Sequence, residues 1–199
     1  MQSNSAPVPE LYVRYDRLEE AKMEAAELTS WDLTPRQICD LELLMNGGFN
    51  PLTGFMTEDD YNSVVENMRL KNGKLWPMPI TLDVSQDFAD SLKIDQNIAL
   101  RDQEGVILGT ITITDSWRPK KKREAEMVFG ADDLAHPAVN YLYNQAGPVY
   151  LGGPVTGIKE PVHYDFRNRR NTPNELRAYF HKMGWRRVVA FQTRNPLHR

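Results

Sequence analysis

The final residues of this 199-residue chain combine side chains that bind oxyanions. Gln192 and Thr193 can donate neutral hydrogen bonds, and Arg194 adds a permanent charge whose planar fork matches a sulfate or phosphate group. Asn195 can cap a helix that begins at the following proline, and the N-terminus of a helix favours an anion. The pattern predicts an oxyanion or phosphate site, at which the charge of a transferred group could be stabilised.

The same residue types also have ordinary structural roles. Asn-Pro is a frequent start of a turn, and an arginine or histidine beside a strand end is often a surface residue. His198 would lie one turn into the predicted helix, close enough to face the same anion. Residue types alone therefore leave two interpretations open, an anion site and a surface loop.

A helix and a buried strand should present this polar segment. Thr172, Pro173 and Glu175 form a capping-box pattern, which predicts a helix that ends at Gly184. Residues 186–191 are two arginines and an apolar run without alternation, which predicts a parallel strand buried on both faces. Helix, glycine, strand and polar loop predict the opening of an α/β unit. Because about 30 residues are too few for a doubly wound domain, the sequence predicts a fragment of a longer protein.

The rest of the chain predicts short strands surrounded by helices. Helices are expected over 16–28, from Pro35 to a stop at residues 46–48 with Thr34 and Gln37 as a capping box, and over 57–68. Extended segments are expected over 76–84, 96–100, 106–115 and 147–158, of which the middle two form a hairpin. This order is typical of a small, mostly β, barrel-like unit with helices packed outside.

The composition excludes several classes of protein. With 41% hydrophobic and 26% charged residues the chain can form a core, which excludes a disordered tail. The net charge of −3 argues against a nucleic-acid binder that relies on bulk positive charge. No stretch approaches the roughly 20 apolar residues that span a bilayer. Since Cys39 is the single cysteine and the N-terminus carries no secretion signal, the sequence predicts a soluble, cytoplasmic protein.

Other chemically capable residues are interpreted as structural. Cys39 is expected to be a small buried hydrophobe on its helix. Residues 120–123 form a basic run, interpreted as a solvated helix start with an anion patch as the alternative. The histidines at positions 136, 163 and 181 have no metal-like spacing, so no protein-bound metal is predicted. Phe49 and Phe55 are expected to fix a packed loop.

Four segments, in the same order along the chain, resemble the ATP sulfurylase family. Residues 192–198, QTRNPLH, resemble its signature Q-x-R-N-P-x-H-x-x-H. Residues 47–56, GGFNPLTGFM, are similar to its G-x-F-x-P-L-x-G-F-M segment. LWPMPITLDV at 75–84 and PVHYDF at 161–166 also resemble family segments. The resemblance covers nearly the whole chain after about residue 10.

The resemblance implies an α+β fold. Residues 1–10 would be a disordered tail and residues 11–164 an N-terminal PUA-like β-barrel domain with surrounding helices. Residues 165–199 would begin the catalytic domain, with the first helix and strand of an α/β nucleotidyltransferase-type fold.

The resemblance further implies a nucleotidyltransferase of sulfate assimilation, which converts ATP and sulfate into adenosine 5′-phosphosulfate and pyrophosphate. Sulfate would attack the α-phosphorus of ATP directly, with Mg²⁺ on the nucleotide. Gln192 and Arg194 would bind sulfate, and Thr193, Arg194 and Asn195 would be catalytic. Gln192, Thr193, Arg194, Asn195 and His198 would bind ATP. A homo-oligomer is also implied for the full-length protein, and neither nucleic acid nor a membrane is an expected partner.

The sequence departs from the family pattern at its end. The second histidine of H-x-x-H would fall at position 201, and the family's G-R-D-H-type loop is absent from these 199 residues. The chain alone is therefore expected to be inactive. Three alternatives stay open: another nucleotidyltransferase, a non-catalytic PUA-like module that binds RNA, and a sulfurylase fused to an adenylylsulfate kinase.

Overall fold

The computed structural model describes residues 6–192, which form seven α-helices and seven β-strands within that range. The helices are α1 (Leu18–Ala26), α2 (Pro35–Met45), α3 (Glu58–Asn67), α4 (Gln86–Asp90), α5 (Lys121–Glu124), α6 (Pro137–Asn144) and α7 (Pro173–Lys182). The strands are β1 (Ser30–Asp32), β2 (Gly54–Phe55), β3 (Leu82–Val84), β4 (Asn97–Arg101), β5 (Ile107–Thr112), β6 (Asp115–Trp117) and β7 (Val149–Gly157). None of the helices in this range is long and apolar enough to cross a membrane.

The nine-residue strand β7 organises the sheet because it pairs with four other strands. Residues 149–152 pair with β3 and β6, and residues 153–157 pair with β2 and β5. β4 continues the sheet beyond β5, and β1 runs parallel to β4 at its edge. A Cβ atom on Gly153 would lie 1.9 Å from the Thr112 carbonyl oxygen, so only glycine allows this close approach. The result is a curled half-barrel sheet with helices outside it.

The core fills the inside of this curled sheet. Leu151 of β7, Leu82 of β3 and Ile111 of β5 are fully buried there. α2 adds Leu41 and Leu44 from its buried face. The predicted hairpin is confirmed as β4 and β5, and the helices predicted over 16–28 and 57–68 are confirmed as α1 and α3. The PUA-like interpretation of the upstream region therefore agrees with the architecture.

The start of α2 follows its predicted chemistry. The Thr34 side chain accepts from the Gln37 amide at 3.3 Å, and the Gln37 side chain accepts from the Thr34 amide at 3.0 Å. This capping box satisfies two backbone donors that would otherwise lack partners at a helix start. The loop that follows α2 is packed as predicted, with Phe49 in an edge-to-face contact with Trp76 and Phe55 buried.

Two sequence predictions in this region are wrong. Cys39 is exposed, because it lies two positions, or about 200°, around α2 from the buried Gln37. Residues 6–10, predicted as part of a disordered tail, instead make hydrogen bonds: Val8 exchanges two with Asn174. Residues 1–5 of that predicted tail lie outside the described range.

Candidate functional site

The predicted anion site begins at the end of the described structure. Gln192 is exposed to solvent there. Thr193, Arg194, Asn195 and His198 lie outside the described residues, so their predicted convergence on one anion stays a prediction. The geometry that the structure does give is that of the helix and segment leading to Gln192.

The segment before Gln192 is not the buried strand that its sequence predicts. Residues 186–192 form neither a helix nor a strand, and Val189 and Phe191 are 93% and 78% exposed. A parallel strand buried on both faces needs neighbouring strands and covering helices. Among the described residues no strand pairs with this segment, and that is the physical reason for the difference.

Helix α7 forms where the sequence predicts it. The Thr172 side chain accepts from the Glu175 amide at 3.3 Å, and the Glu175 side chain accepts from the Thr172 amide at 2.7 Å. Gly184 follows the helix with a φ of +68°, a conformation suited to glycine at a helix end. No residue of α7 is buried. Its apolar side chains, like those of residues 185–191, are therefore at least partly exposed.

Three aromatic rings mark this exposed apolar surface. Trp185 stacks on Phe180 with ring centroids 6.0 Å apart, and Tyr179 meets Trp185 edge-on at 5.8 Å. Tyr179 and Trp185 are about half exposed. Such clusters of large apolar groups on a surface mark places where more protein or a ligand packs.

Positive charge is concentrated around the same segment. Residues 165–199 contain nine Lys or Arg and two Asp or Glu, whereas residues 1–164 contain 15 and 25. The two parts of the chain thus carry formal charges of +7 and −10. This asymmetry was visible in the sequence, but the total of −3 conceals it. A positive segment beside a negative domain attracts anions toward the segment.

Few of these positive charges in the described part are neutralised by acids. Arg170 pairs with Asp165 at 2.7 Å, and this hydrogen bond lowers the pKa of the Asp165 carboxyl. Within residues 6–192, Arg167, Arg169 and Arg186 form no ion pair. The surface leading to Gln192 is therefore positive and exposed, which favours the approach of anions.

Sequence reasoning missed a half-buried ionic cluster beneath α2. Arg36 contacts Asp83 and pairs with Asp40 at 2.6 Å, and its Nε donates to the Tyr141 hydroxyl at 3.1 Å. Asp83 also accepts from the Gly147 amide at 2.7 Å. Burial raises the pKa of Asp40 to about 6, although the nearby Arg36 opposes this shift. The cluster joins α2, β3, α6 and the segment just before β7, so its geometry supports a structural role.

A second buried carboxylate lies below β7. Glu124 is 6% exposed and accepts hydrogen bonds from the hydroxyls of Tyr61 at 2.8 Å and Tyr150 at 3.2 Å. Burial raises the pKa of Glu124, and the two tyrosine hydrogen bonds oppose that rise. Trp117 packs edge-on against Tyr150, which completes an aromatic cluster around the carboxylate. Only the long-range contacts of the fold identify this arrangement, because its residues are far apart in sequence.

Two clefts lie in the PUA-like part of the described structure. One of about 580 Å³ lies between α1 and the sheet, and one of about 290 Å³ lies beside α3 and Trp117. Gln192, the one predicted site residue within the described range, lines neither cleft. Within residues 6–192 no three His, Cys, Asp or Glu side chains are grouped to hold a metal ion.

Comparison with protein families assigns both parts of the chain. A family described as PUA-like domain matches residues 1–160. The chain belongs to the PUA-like domain family. A second family, described as ATP-sulfurylase, matches residues 167–199. The resemblance to ATP sulfurylases is thereby confirmed, and so is a PUA-like domain followed by the start of an ATP-sulfurylase catalytic domain.

Individual relatives agree with this assignment. The chain is 52% identical over 176 residues to the sulfate adenylyltransferase of Eremothecium gossypii, and 53% identical over 176 residues to that of Kluyveromyces lactis. Each alignment covers 88% of this chain and 35% of the relative, so the chain spans about a third of the length of these curated relatives. A hexameric APS kinase from Thiobacillus denitrificans matches with a TM-score of 0.76 and 35% identity, over 99% of this chain and 34% of that one.

Proposed function

We propose that the chain supplies the N-terminal PUA-like domain and the opening of the catalytic domain of a sulfate adenylyltransferase. The observation that carries this proposal is about 50% identity to sulfate adenylyltransferases over nearly nine-tenths of the chain. The positive charge of residues 165–199 supports it independently, because both substrates, ATP and sulfate, are anions.

In the proposed reaction a sulfate oxygen attacks the α-phosphorus of ATP. A bond forms between that oxygen and phosphorus, the bond from phosphorus to the β-phosphate oxygen breaks, and pyrophosphate leaves with the electron pair. Gln192 and Arg194 bind sulfate. Thr193, Arg194 and Asn195 stabilise the charge that accumulates at the α-phosphate in the transition state. His198 holds the nucleotide phosphates. No covalent enzyme intermediate is part of this proposal, so no nucleophilic side chain is required.

Mg²⁺ enters this scheme with the nucleotide. Residues 165–192 offer guanidinium and amide donors and two carboxylates, a set that suits phosphate and sulfate oxygens better than a divalent cation. Mg²⁺ on the ATP phosphates would neutralise part of their charge. The donors of this chain would then orient the two anions that must meet, which otherwise repel each other.

The chain by itself is expected to have no turnover. Its candidate segment is exposed at Gln192, and electrostatic stabilisation of a transition state is strong only in a site from which water is excluded. Homo-oligomeric assembly and a cytoplasmic location, the latter resting on the single cysteine and the N-terminal sequence, stay predictions.

A chimera tests the proposed function. The chain would replace the matching first third of the Kluyveromyces lactis enzyme, and pyrophosphate release from ATP would be measured with and without sulfate. We expect release that requires sulfate, with adenosine 5′-phosphosulfate as the second product. The unjoined 199-residue chain is the control and should match a blank without enzyme. A chimera that is folded but releases no pyrophosphate would contradict the proposal.

A further inference from the structure

The segment 6–10, called the strap below, crosses from the PUA-like domain to the start of α7. The Asn174 carboxamide pairs with the strap backbone in both directions: its Oδ1 accepts from the Val8 amide at 2.8 Å, and its Nδ2 donates to the Val8 carbonyl at 3.1 Å. The same Nδ2 also donates to Glu10 Oε1 at 2.7 Å. One turn further along the helix, Arg177 Nη1 donates to the Ala6 carbonyl at 3.2 Å. Two side chains of α7 therefore form hydrogen bonds with three residues of the strap.

The other side of the strap is fixed to the PUA-like domain. A Cβ atom on Gly47 would lie 2.7 Å from the Pro9 carbonyl oxygen and 2.8 Å from Val8 Cγ2, so the strap lies directly on the turn after α2. Leu11, the residue after the strap, donates its amide to the Met45 carbonyl at 2.8 Å. Residues 11–13 then exchange backbone hydrogen bonds with Gly157 at the end of β7.

These contacts matter more for α7 than similar contacts do elsewhere in the chain. No residue of α7 is buried, so apolar packing within the described residues contributes little to holding the helix. An isolated helix of this length is only marginally stable in water. Hydrogen bonds to an anchored segment can supply both the stability and the placement that packing does not.

We propose that the strap positions α7. Asn174 pairs with the Val8 backbone and thereby holds the start of α7 against the PUA-like domain. The polar segment at Gln192 follows α7 by ten residues, so the strap also sets where that segment begins. Asn174 is a positioning residue, because it acts through the strap and the helix. The proposal rests on contacts within residues 6–192 and holds whether or not the proposed function is correct.

Amide hydrogen exchange on the 199-residue chain tests the strap. In Asn174→Ala we expect the Val8 amide to exchange at least about tenfold faster, since the hydrogen bonds that protect it are lost. Amides of residues 176–182 should also exchange faster. Alanine has a higher helix propensity than asparagine, so faster exchange in α7 would report loss of the strap and not a weaker helix. The exchange of core amides such as that of Leu151 should not change, which also shows that the variant is folded.

Asn171→Ala is the matched control, because it removes an exposed carboxamide just before the same helix. It should leave the Val8 amide and α7 unchanged. If Asn174→Ala behaves like Asn171→Ala, the proposal is wrong.

A rescue variant separates a specific pairing from general disruption. Asn174→Asp keeps an acceptor for the Val8 amide but places a carboxylate beside Glu10, so Val8 should lose protection. Adding Glu10→Gln to Asn174→Asp removes the repulsion and supplies a donor, so protection should return by several-fold. Equal exchange in the single and double variants would overturn the pairing.

Discussion

The two parts of the described chain differ in burial, in charge and in how they are stabilised. Residues 11–164 bury a continuous core around β7 and contain more acidic than basic residues. Residues 165–192 bury none of their side chains and are rich in arginine. The first part is stabilised by its own packing, whereas the second depends on the strap and on whatever covers its apolar surface. The part that leads to the candidate anion site is thus the part without buried side chains.

The charge difference affects how anions approach the chain. An acidic domain repels sulfate and nucleotides, and the basic segment next to it attracts them. At low ionic strength the field would concentrate anions near residues 165–199. At about 0.1 M salt the Debye length is about 10 Å, and beyond that distance the attraction would be largely screened. The acidic surface of the PUA-like part also disfavours the alternative in which that part binds RNA.

Truncation of a core residue should give the largest difference between the two parts. Leu151→Ala removes a fully buried side chain from the centre of β7, and we expect it to lower the free energy of unfolding by about 3 kcal/mol. Val189→Ala removes a side chain that is 93% exposed, and we expect a change below about 0.5 kcal/mol. Urea unfolding followed by tryptophan fluorescence measures both. Similar losses in the two variants would mean that the second part is also packed.

The pH dependence of stability should distinguish Asp40, in the half-buried ionic cluster, from exposed acids. Folding raises the pKa of Asp40 from 3.8 to about 6, so the folded state holds a proton over a range in which the unfolded state has lost it. Stability from this group is therefore greatest at low pH and falls as the pH rises from about 4 to about 6. The carboxamide introduced by Asp40→Asn cannot ionise, so this contribution to the pH dependence should disappear, an effect of up to about 3 kcal/mol.

The check is urea unfolding of the native chain and Asp40→Asn at several pH values between 4 and 8. Asp87→Asn, which changes an exposed acid, is the matched control and should follow the native chain. A difference between the native chain and Asp40→Asn that does not vary with pH would show that Asp40 titrates normally.

Local chemistry predicted much of the fold. Thr34 and Thr172 begin α2 and α7 with capping boxes because the necessary residues are within three positions of each other. The hairpin of β4 and β5 follows from alternating β-branched residues and a turn sequence. The position of Cys39 was missed because the polar Gln37 lies on the buried face of α2, so residue polarity did not show which side of the helix Cys39 occupies.

Features that depend on distant contacts could not be read from the sequence. The cluster of Arg36 with Asp83 joins residues 47 positions apart, and the pairing of Val8 with Asn174 spans 166. The apolar run before Gln192 has the composition of a buried strand, but no described neighbour covers it, so composition alone misled. The candidate site itself was found from its motif, and the roles of Thr193, Arg194, Asn195 and His198 stay predictions.

We expect the last residues of the chain to act in the reaction without stabilising the fold. Arg194→Ala in the Kluyveromyces lactis chimera is the sharpest test of this expectation. Arg187→Ala, which removes an exposed arginine from the same segment, is the comparison. Sulfate-dependent pyrophosphate release and urea unfolding would be measured on each. We expect Arg194→Ala to lower kcat by at least about 100-fold with an unchanged unfolding midpoint, and Arg187→Ala to retain most activity. Equal activity in the two variants, or a loss of activity that follows a loss of stability, would contradict the account.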